Sequence, residues 1–170
     1  MAEHLLSLGH RRIGVITGPL RHNDRQRARL EGIRAALTKA GLTLPARYHT
    51  EQALLVPGGR VGCSILLELA DRPTALIGAV DVIAIGSIAE CRARGITVPD
   101  QMSVAGIDNI ELAAHASPSL TTIDIPSRQI GSEAVARMLA LIAETTSADH
   151  LLLPIELVER HSTAAPARVD

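Results

Sequence analysis

The chain runs to 170 residues, 46% of them hydrophobic and 21% charged, with 17 basic against 18 acidic side chains and a single aromatic ring, Tyr48. That length and apolar share suffice for one ordinary core, while the even charge balance argues against binding phosphate backbones by bulk electrostatics. The most apolar window, Thr74 to Glu90, is broken by Asp81 and falls short of the ~20 apolar residues of a membrane span. The start, Met1-Ala2-Glu3-His4, opens a helical pattern without a secretory signal, and Cys63 and Cys91 lack motif spacing. These features predict a cytoplasmic chain with reduced thiols and no membrane contact.

Arg12 to Thr17 is a β-branched run closed by Gly18-Pro19, the pattern of a buried strand ending in a turn. Leu30, Ile33, Leu37 and Ala40 then recur at helical spacing, with Asp24 available as N-cap and Gly41 as the stop. Gly59 to Asp71 reads as a helix with Val61, Ile65, Leu66 and Leu69 on one side. Pro73 precedes a strand over Thr74 to Val80, and Asp81 caps a helix that ends at Gly95. After the turn Val98-Pro99-Asp100 comes a strand over Met102 to Ile107, and Asp108-Asn109 opens a short helical segment stopped by Pro118. Near-continuous apolar strands alternating with helices predict an α/β fold with a parallel, Rossmann-like sheet covered on both faces.

The remainder breaks this rhythm. Leu120 to Ile125 is extended, Pro126 stands at a helix start, and Ile130, Ala134, Val135, Met138, Leu139 and Ile142 mark a long amphipathic helix. A last extended run, Leu151 to Val158, precedes an Ala, Pro and Thr-rich terminus expected to fray.

No catalytic constellation emerges. His4, His10, His22, His49, His115, His150 and His161 neither pair at i,i+4 nor join a cysteine at ligand spacing, so no metal or other cofactor is expected. Ser64 is not in a nucleophile elbow, and Gly14 and Gly18 do not make a dinucleotide fingerprint. Charge placement is more informative. Arg25, Arg27 and Arg29 crowd the first turns of a helix, where the macrodipole disfavours cations by roughly 0.3–1 kcal/mol each. Arg25 and Arg27 have a simple explanation in solvent or a nearby carboxylate such as Glu31. Arg29 lies near the carboxyl edge of the sheet, where open α/β sheets bind ligands. Asp81 and Asp108 follow directly on strands at that same edge. Asp81 reads best as a helix cap and Asp108 as either a turn residue or a ligand group. A carboxylate and a guanidinium facing one crevice suit polyols and purine-like rings.

Eight segments taken together resemble one family: Gly9-His10-Arg11-Arg12-Ile13, Gly18-Pro19, Arg29-Leu30-Glu31-Gly32, Pro73-Thr74-Ala75, Asp81-Val82-Ile83-Ala84-Ile85-Gly86, Val98-Pro99-Asp100, Ser103 to Asn109, and Leu120-Thr121-Thr122-Ile123. Their order and spacing are similar to the C-terminal part of the effector-binding core of the lactose/galactose repressor family. The resemblance implies a periplasmic-binding-protein type I fold, cut at its N-terminus. Residues 1–125 would form the C-terminal subdomain, 126–151 a crossover belonging to the other subdomain, and 152–170 the final strand and tail. It implies an effector-sensing, non-enzymatic module of a bacterial transcription regulator, a homodimer whose contact with DNA runs through a helix-turn-helix outside this chain. The effector would be a sugar or related metabolite. A sugar-transport binding protein shares the fold and stands as the alternative.

Position by position, Arg29 falls on the family's effector-binding arginine and Asp108 on its acidic partner. Val80 replaces the Asn usual before the Asp of the helix start, Leu54 occupies an aromatic position, and Ser127 stands where several relatives carry a bulky ring. The apolar helix Asp81 to Arg94 and the segment Ile110 to Ala116 fall on the family's dimer interface, which would use Val82, Ile85, Ile88, Ala89, Ile110 and Ala113.

Overall fold

A computed structural model of the chain describes residues 1–143 and 150–167. Helix α1 (Ala2–Ser7) leads to strand β1 (Ile13–Thr17), helix α2 (Asp24–Lys39), β2 (His49–Glu51), α3 (Val56–Leu67), β3 (Ala75–Gly78), α4 (Asp81–Ala93), β4 (Ser103–Ala105) and α5 (Glu111–His115). Strand β5 (Thr122–Asp124), helix α6 (Ser127–Ile142) and strand β6 (Glu156–Val158) follow. Strands β1 to β4 form a parallel sheet in the order β2-β1-β3-β4, and β5 pairs antiparallel with β6. Two parallel bridges, Ala105 to Thr121 and Asp108 to Asp124, set β5 beside the β4 edge.

Each face of the sheet has its own apolar layer. Ile13, Val15, Ala75 and Ile77 pack with Leu5 of α1 and Leu30, Ile33 and Leu37 of α2. Ile16, Leu76 and Val104 pack with Cys63 and Leu66 of α3 and Ile83, Ile88 and Cys91 of α4. Burial on both sides explains why β1 and β3 read as unbroken apolar runs.

Several boundaries differ from the sequence reading for local reasons. Asn23, not Asp24, caps α2, its side chain accepting from the Gln26 N–H at 3.2 Å, while Asp24 sits inside the first turn and pairs with Arg27. Strand β2 has no apolar signature at all, being His49-Thr50-Glu51 on the sheet edge. The inward face of α3 is Gly58, Gly59, Gly62, Cys63 and Leu66, so Val61 and Ile65, expected on the core side, are exposed. The cause is a close crossing of α3 over α4. A methyl on Gly59 would overlap the Ile83 carbonyl, and one on Gly86 would overlap that of Val56. Ser87 Oγ bonds its own helix at Ile83 and reaches the Gly59 carbonyl. The crossing also places the free thiols of Cys63 and Cys91 3.7 Å apart in the core.

The terminal run is likewise more ordered than its composition suggests. Ser162 is fully buried, exchanging bonds with both main-chain groups of Val104 and accepting from the Thr121 N–H. The Ala164 carbonyl accepts from His10, whose other ring nitrogen meets Thr74 Oγ1 at 2.9 Å. Burial holds the His10 pKa below the usual histidine value, so the ring stays neutral and can serve both contacts. By contrast α6 has no buried residue, and Ile130, Val135, Met138, Leu139 and Ile142 are exposed along it.

The α3–α4 crossing generates a stability prediction. Gly59→Ala and Gly86→Ala should each destabilise the chain by about 1–3 kcal/mol, the usual cost of overpacking a close contact. Urea unfolding measures this, and an unchanged midpoint in both variants would contradict the crossing geometry.

Candidate functional site

From β1 the chain turns into α2 on one face of the sheet, and from β3 it turns into α4 on the opposite face. Where neighbouring parallel strands send their connections to opposite faces, the loops part and leave a crevice at the carboxyl edge. The entry of α2 is fastened there by Gln26, whose side-chain oxygen accepts from the Gly18 N–H at 2.8 Å.

Arg29, in the second turn of α2, spans this opening. One guanidinium nitrogen donates to the Ala79 carbonyl just past β3, and the other meets Asp108 Oδ1 at 2.6 Å. The two side chains are 21% and 29% exposed, so the pair borders the crevice while remaining reachable. These bonds use two of the five guanidinium N–H donors and one carboxylate oxygen, so the pair keeps both donor and acceptor capacity at the crevice. Because the guanidinium is already neutralised, the pair presents a local dipole and little net charge. That arrangement matches adjacent hydroxyls on a neutral molecule better than it matches an anion.

Asp108 sits on a loop of unusual backbone geometry, with φ of 123° at Asp108 and 52° at Asn109, both in the left-handed region. Neighbouring groups hold it there. The Asp108 N–H donates to the Ile123 carbonyl at 2.9 Å and the Ile110 N–H to Asp81 Oδ2 at 2.9 Å. Asp81 does not cap α4 as its position predicts: it lies within the first turn and its carboxylate turns away to the loop and to β5, accepting from Thr122 Oγ1 at 2.6 Å. It is fully buried, and that burial raises its pKa above the ordinary carboxylate value despite those two bonds.

The other residues marked in the sequence are dispersed around this centre. Leu54 is partly exposed and closes over Gly18 at the end of β1, where its methyl groups occupy the space a β-carbon would need. Val80 is the residue immediately before α4, half-buried, adjacent in chain to the carbonyl that holds Arg29. Ser127 begins α6 and is exposed. An apolar trough of about 520 Å³ starts at Arg29 and follows α2 past Gly32 and Ala36, facing Ile107, Ile123 and Ile125. Arg25 is exposed, and Arg27 is occupied by Asp24 and the Leu20 carbonyl. Of the apolar residues placed on a subunit interface, Ile88 and Ala113 are buried inside this chain, whereas Val82, Ile85, Ala89 and Ile110 are only half-buried. Sequence reasoning passed over Asn109, Asp124 and Arg160, which surround the Asp108 loop. They lie far apart in sequence, and no motif joins them.

A parallel α/β layer with a polar pair at its switch-point crevice is the arrangement at which open α/β sheets bind ligands. The chain belongs to the periplasmic-binding-protein-like domain family, whose model matches residues 2–163, in the form found in LacI-family transcriptional regulators. The ribose operon repressor of Haemophilus influenzae is 38% identical over 138 residues, which is 81% of this chain and 41% of that protein. A dimeric Lac repressor superposes with a TM-score of 0.91 at 33% identity, covering 97% of this chain and 60% of that one. The transcriptional regulator CelR in complex with cellobiose gives 0.86 at 29% identity, covering 95% and 49% respectively. The chain thus spans less than half the length of the curated relatives it matches, and those relatives are transcription regulators, not enzymes. No described helix is long and apolar enough to cross a membrane.

The burial of Asp81 sets a pH dependence. Its folded pKa is raised, so its contribution to stability is complete below the unfolded value of about 4 and declines as pH climbs through the folded pKa. The stability of the chain relative to Asp81→Asn should therefore fall as pH rises above about 4. Urea titrations across that range measure it, and a difference that rises with pH would contradict the assignment.

Proposed function

We propose that this chain is the C-terminal half of the effector-sensing core of a cytoplasmic LacI-type repressor, and that its crevice binds a neutral, polyhydroxylated effector such as a sugar. The observation that supports this reading most directly is the partly exposed Arg29–Asp108 pair at the switch point, which keeps donor and acceptor capacity beyond its mutual contact. In this reading residues 1–125 form the subdomain that holds the effector, residues 126–151 cross to a second subdomain, and residues 152–170 return. Arg29 and Asp108 grip hydroxyls, while Leu54, Val80 and Ser127 shape a site poor in amides and rings. Polar handles being few, hydrogen bonding to Arg29 and Asp108 supplies most of the selectivity.

The effector acts by preferring one relative arrangement of the two subdomains, which shifts the population of DNA-binding states. Contact with DNA belongs to a region of the regulator outside these 170 residues. The half-buried apolar surface of Val82, Ile85, Ala89 and Ile110 would meet a second copy of the chain, with Ile88 and Ala113 supporting it from beneath.

A thermal-shift series with D-ribose, cellobiose, D-gluconate and inosine tests the site. A neutral sugar should raise the melting temperature, and Arg29→Ala should abolish that rise. A response confined to gluconate, or one retained in Arg29→Ala, would refute the reading. For the interface, Ile85→Asp should reduce the mass measured by light scattering from dimer to monomer without unfolding the chain. A dimer that survives the substitution would place the contact elsewhere.

A further inference from the structure

The loop that presents Asp108 is held by β5, by Asp81 at the start of α4 and by Arg160 just past β6. Its backbone bonds run to the Ile123 carbonyl and Thr122 Oγ1 of β5, and to Asp81, which itself is bonded to Thr122. The side chain of Asn109, next in the chain after Asp108, bridges both strands. Its amide donates to Asp124 Oδ1 at 2.9 Å, on the last residue of β5, and its oxygen accepts from Arg160 at 2.8 Å, two residues past the end of β6. Arg160 is anchored in turn to the Leu120 carbonyl at 2.7 Å and, through its own N–H, to Thr121 Oγ1 at 3.0 Å. Asn109 takes the αL angle that Asn readily adopts, whereas the φ of 123° at Asp108 lies outside that well, so these partners help to hold the loop in shape.

We propose that Asn109 and Arg160 are positioning residues forming a latch, through which the placement of the β5–β6 pair sets the direction of the Asp108 carboxylate toward Arg29. Strands β5 and β6 are the chain's way out to α6 and back, so any movement of that segment reaches them first. A shift of β6 against β5 pulls Arg160 off Asn109, frees the loop from its left-handed conformation, and lengthens the Arg29–Asp108 contact. Coupling is reciprocal in free energy, so a molecule that fixes Asp108 also favours one placement of β5 and β6. The regulatory meaning of the latch rests on the effector-cleft reading. The contacts themselves do not.

The test perturbs β6 and reads Arg29 by NMR on the full 170-residue chain. Leu157→Gly loosens β6 at a position 37% exposed and outside the crevice. In the otherwise unchanged chain it should shift the Arg29 Nε–Hε resonance. In an Asn109→Gly background most of that shift should vanish, since glycine accepts the 52° backbone angle and removes only the bridging side chain. Arg160→Gln should give the same loss by cutting the other half of the bridge, and decides the matter should Asn109→Gly fail to fold. Amide resonances of Val15 and Ile77 in the central strands report that the sheet is intact. If Leu157→Gly moves Arg29 equally with and without the bridge, or not at all in the starting chain, the latch is overturned. No ligand enters this experiment, so its failure leaves the sugar-binding reading to the thermal-shift series, and failure there leaves the latch to be judged by NMR alone.

Discussion

Parallel strands have no hairpins between them, so each connection must cross a face of the sheet, and here the connections from β1 and β3 cross opposite faces. The crevice is a consequence of that divergence and needs no special residue to create it. What the sequence adds is a means of spanning it. Arg29 has a stem long enough to leave α2, pass the end of β3 at Ala79 and reach the loop beyond β4. Three secondary-structure units are thereby tied at the one place where the fold leaves them apart.

The chemistry at that place is governed by a partly buried ion pair. Removing one member of a fully buried pair costs about 3–5 kcal/mol because the other charge is left uncompensated, and the exposure of Arg29 and Asp108 moderates that figure here. The same partial exposure makes the pair useful. Fully buried, it would be structural cement, and fully exposed, it would be screened and worth little. At the crevice mouth it keeps its geometry and offers hydrogen-bonding capacity to a ligand that can replace water. An anionic ligand would have to compete with Asp108 for Arg29, whereas a hydroxyl can bond to both groups at once.

Much of the architecture was legible because it follows from periodicity. Leu30, Ile33 and Leu37 on α2, the runs in β1 and β3, and the switch to a long amphipathic α6 all repeat at the spacing their structure demands. The failures share a physical cause, which is that a tertiary contact outweighed the local pattern. On α3 the apolar Val61 and Ile65 point outward because backbone-to-backbone approach at Gly59 and Gly86 claims the inner face. Asp81 stands where a cap should stand, yet a buried donor at Ile110 and another at Thr122 draw its carboxylate away. Ser162 and Ala164 have a composition that suggests a loose end but satisfy buried groups on β4 and His10. The meeting of Arg29 and Asp108 at the crevice was legible from their positions and from the family resemblance. The Asn109, Asp124 and Arg160 bridge was not, since its members are joined only by the folded geometry.

That bridge also clarifies why a loop so close to the crevice should carry an unusual backbone angle at Asp108. A loop in a comfortable conformation would keep Asp108 in place whatever β5 and β6 were doing, and the crevice would be blind to the rest of the chain. The φ of 123° at Asp108 makes the loop depend on outside support. That support comes from β5, from Arg160 just past β6, and from Asp81, itself tied to β5. The exposed apolar face of α6 lies between those two strands in chain order, so in the latch a packing event on α6 acts through the ends of β5 and β6. Strain at Asp108 therefore converts a packing event on α6 into a change in the hydrogen-bonding geometry offered by the crevice.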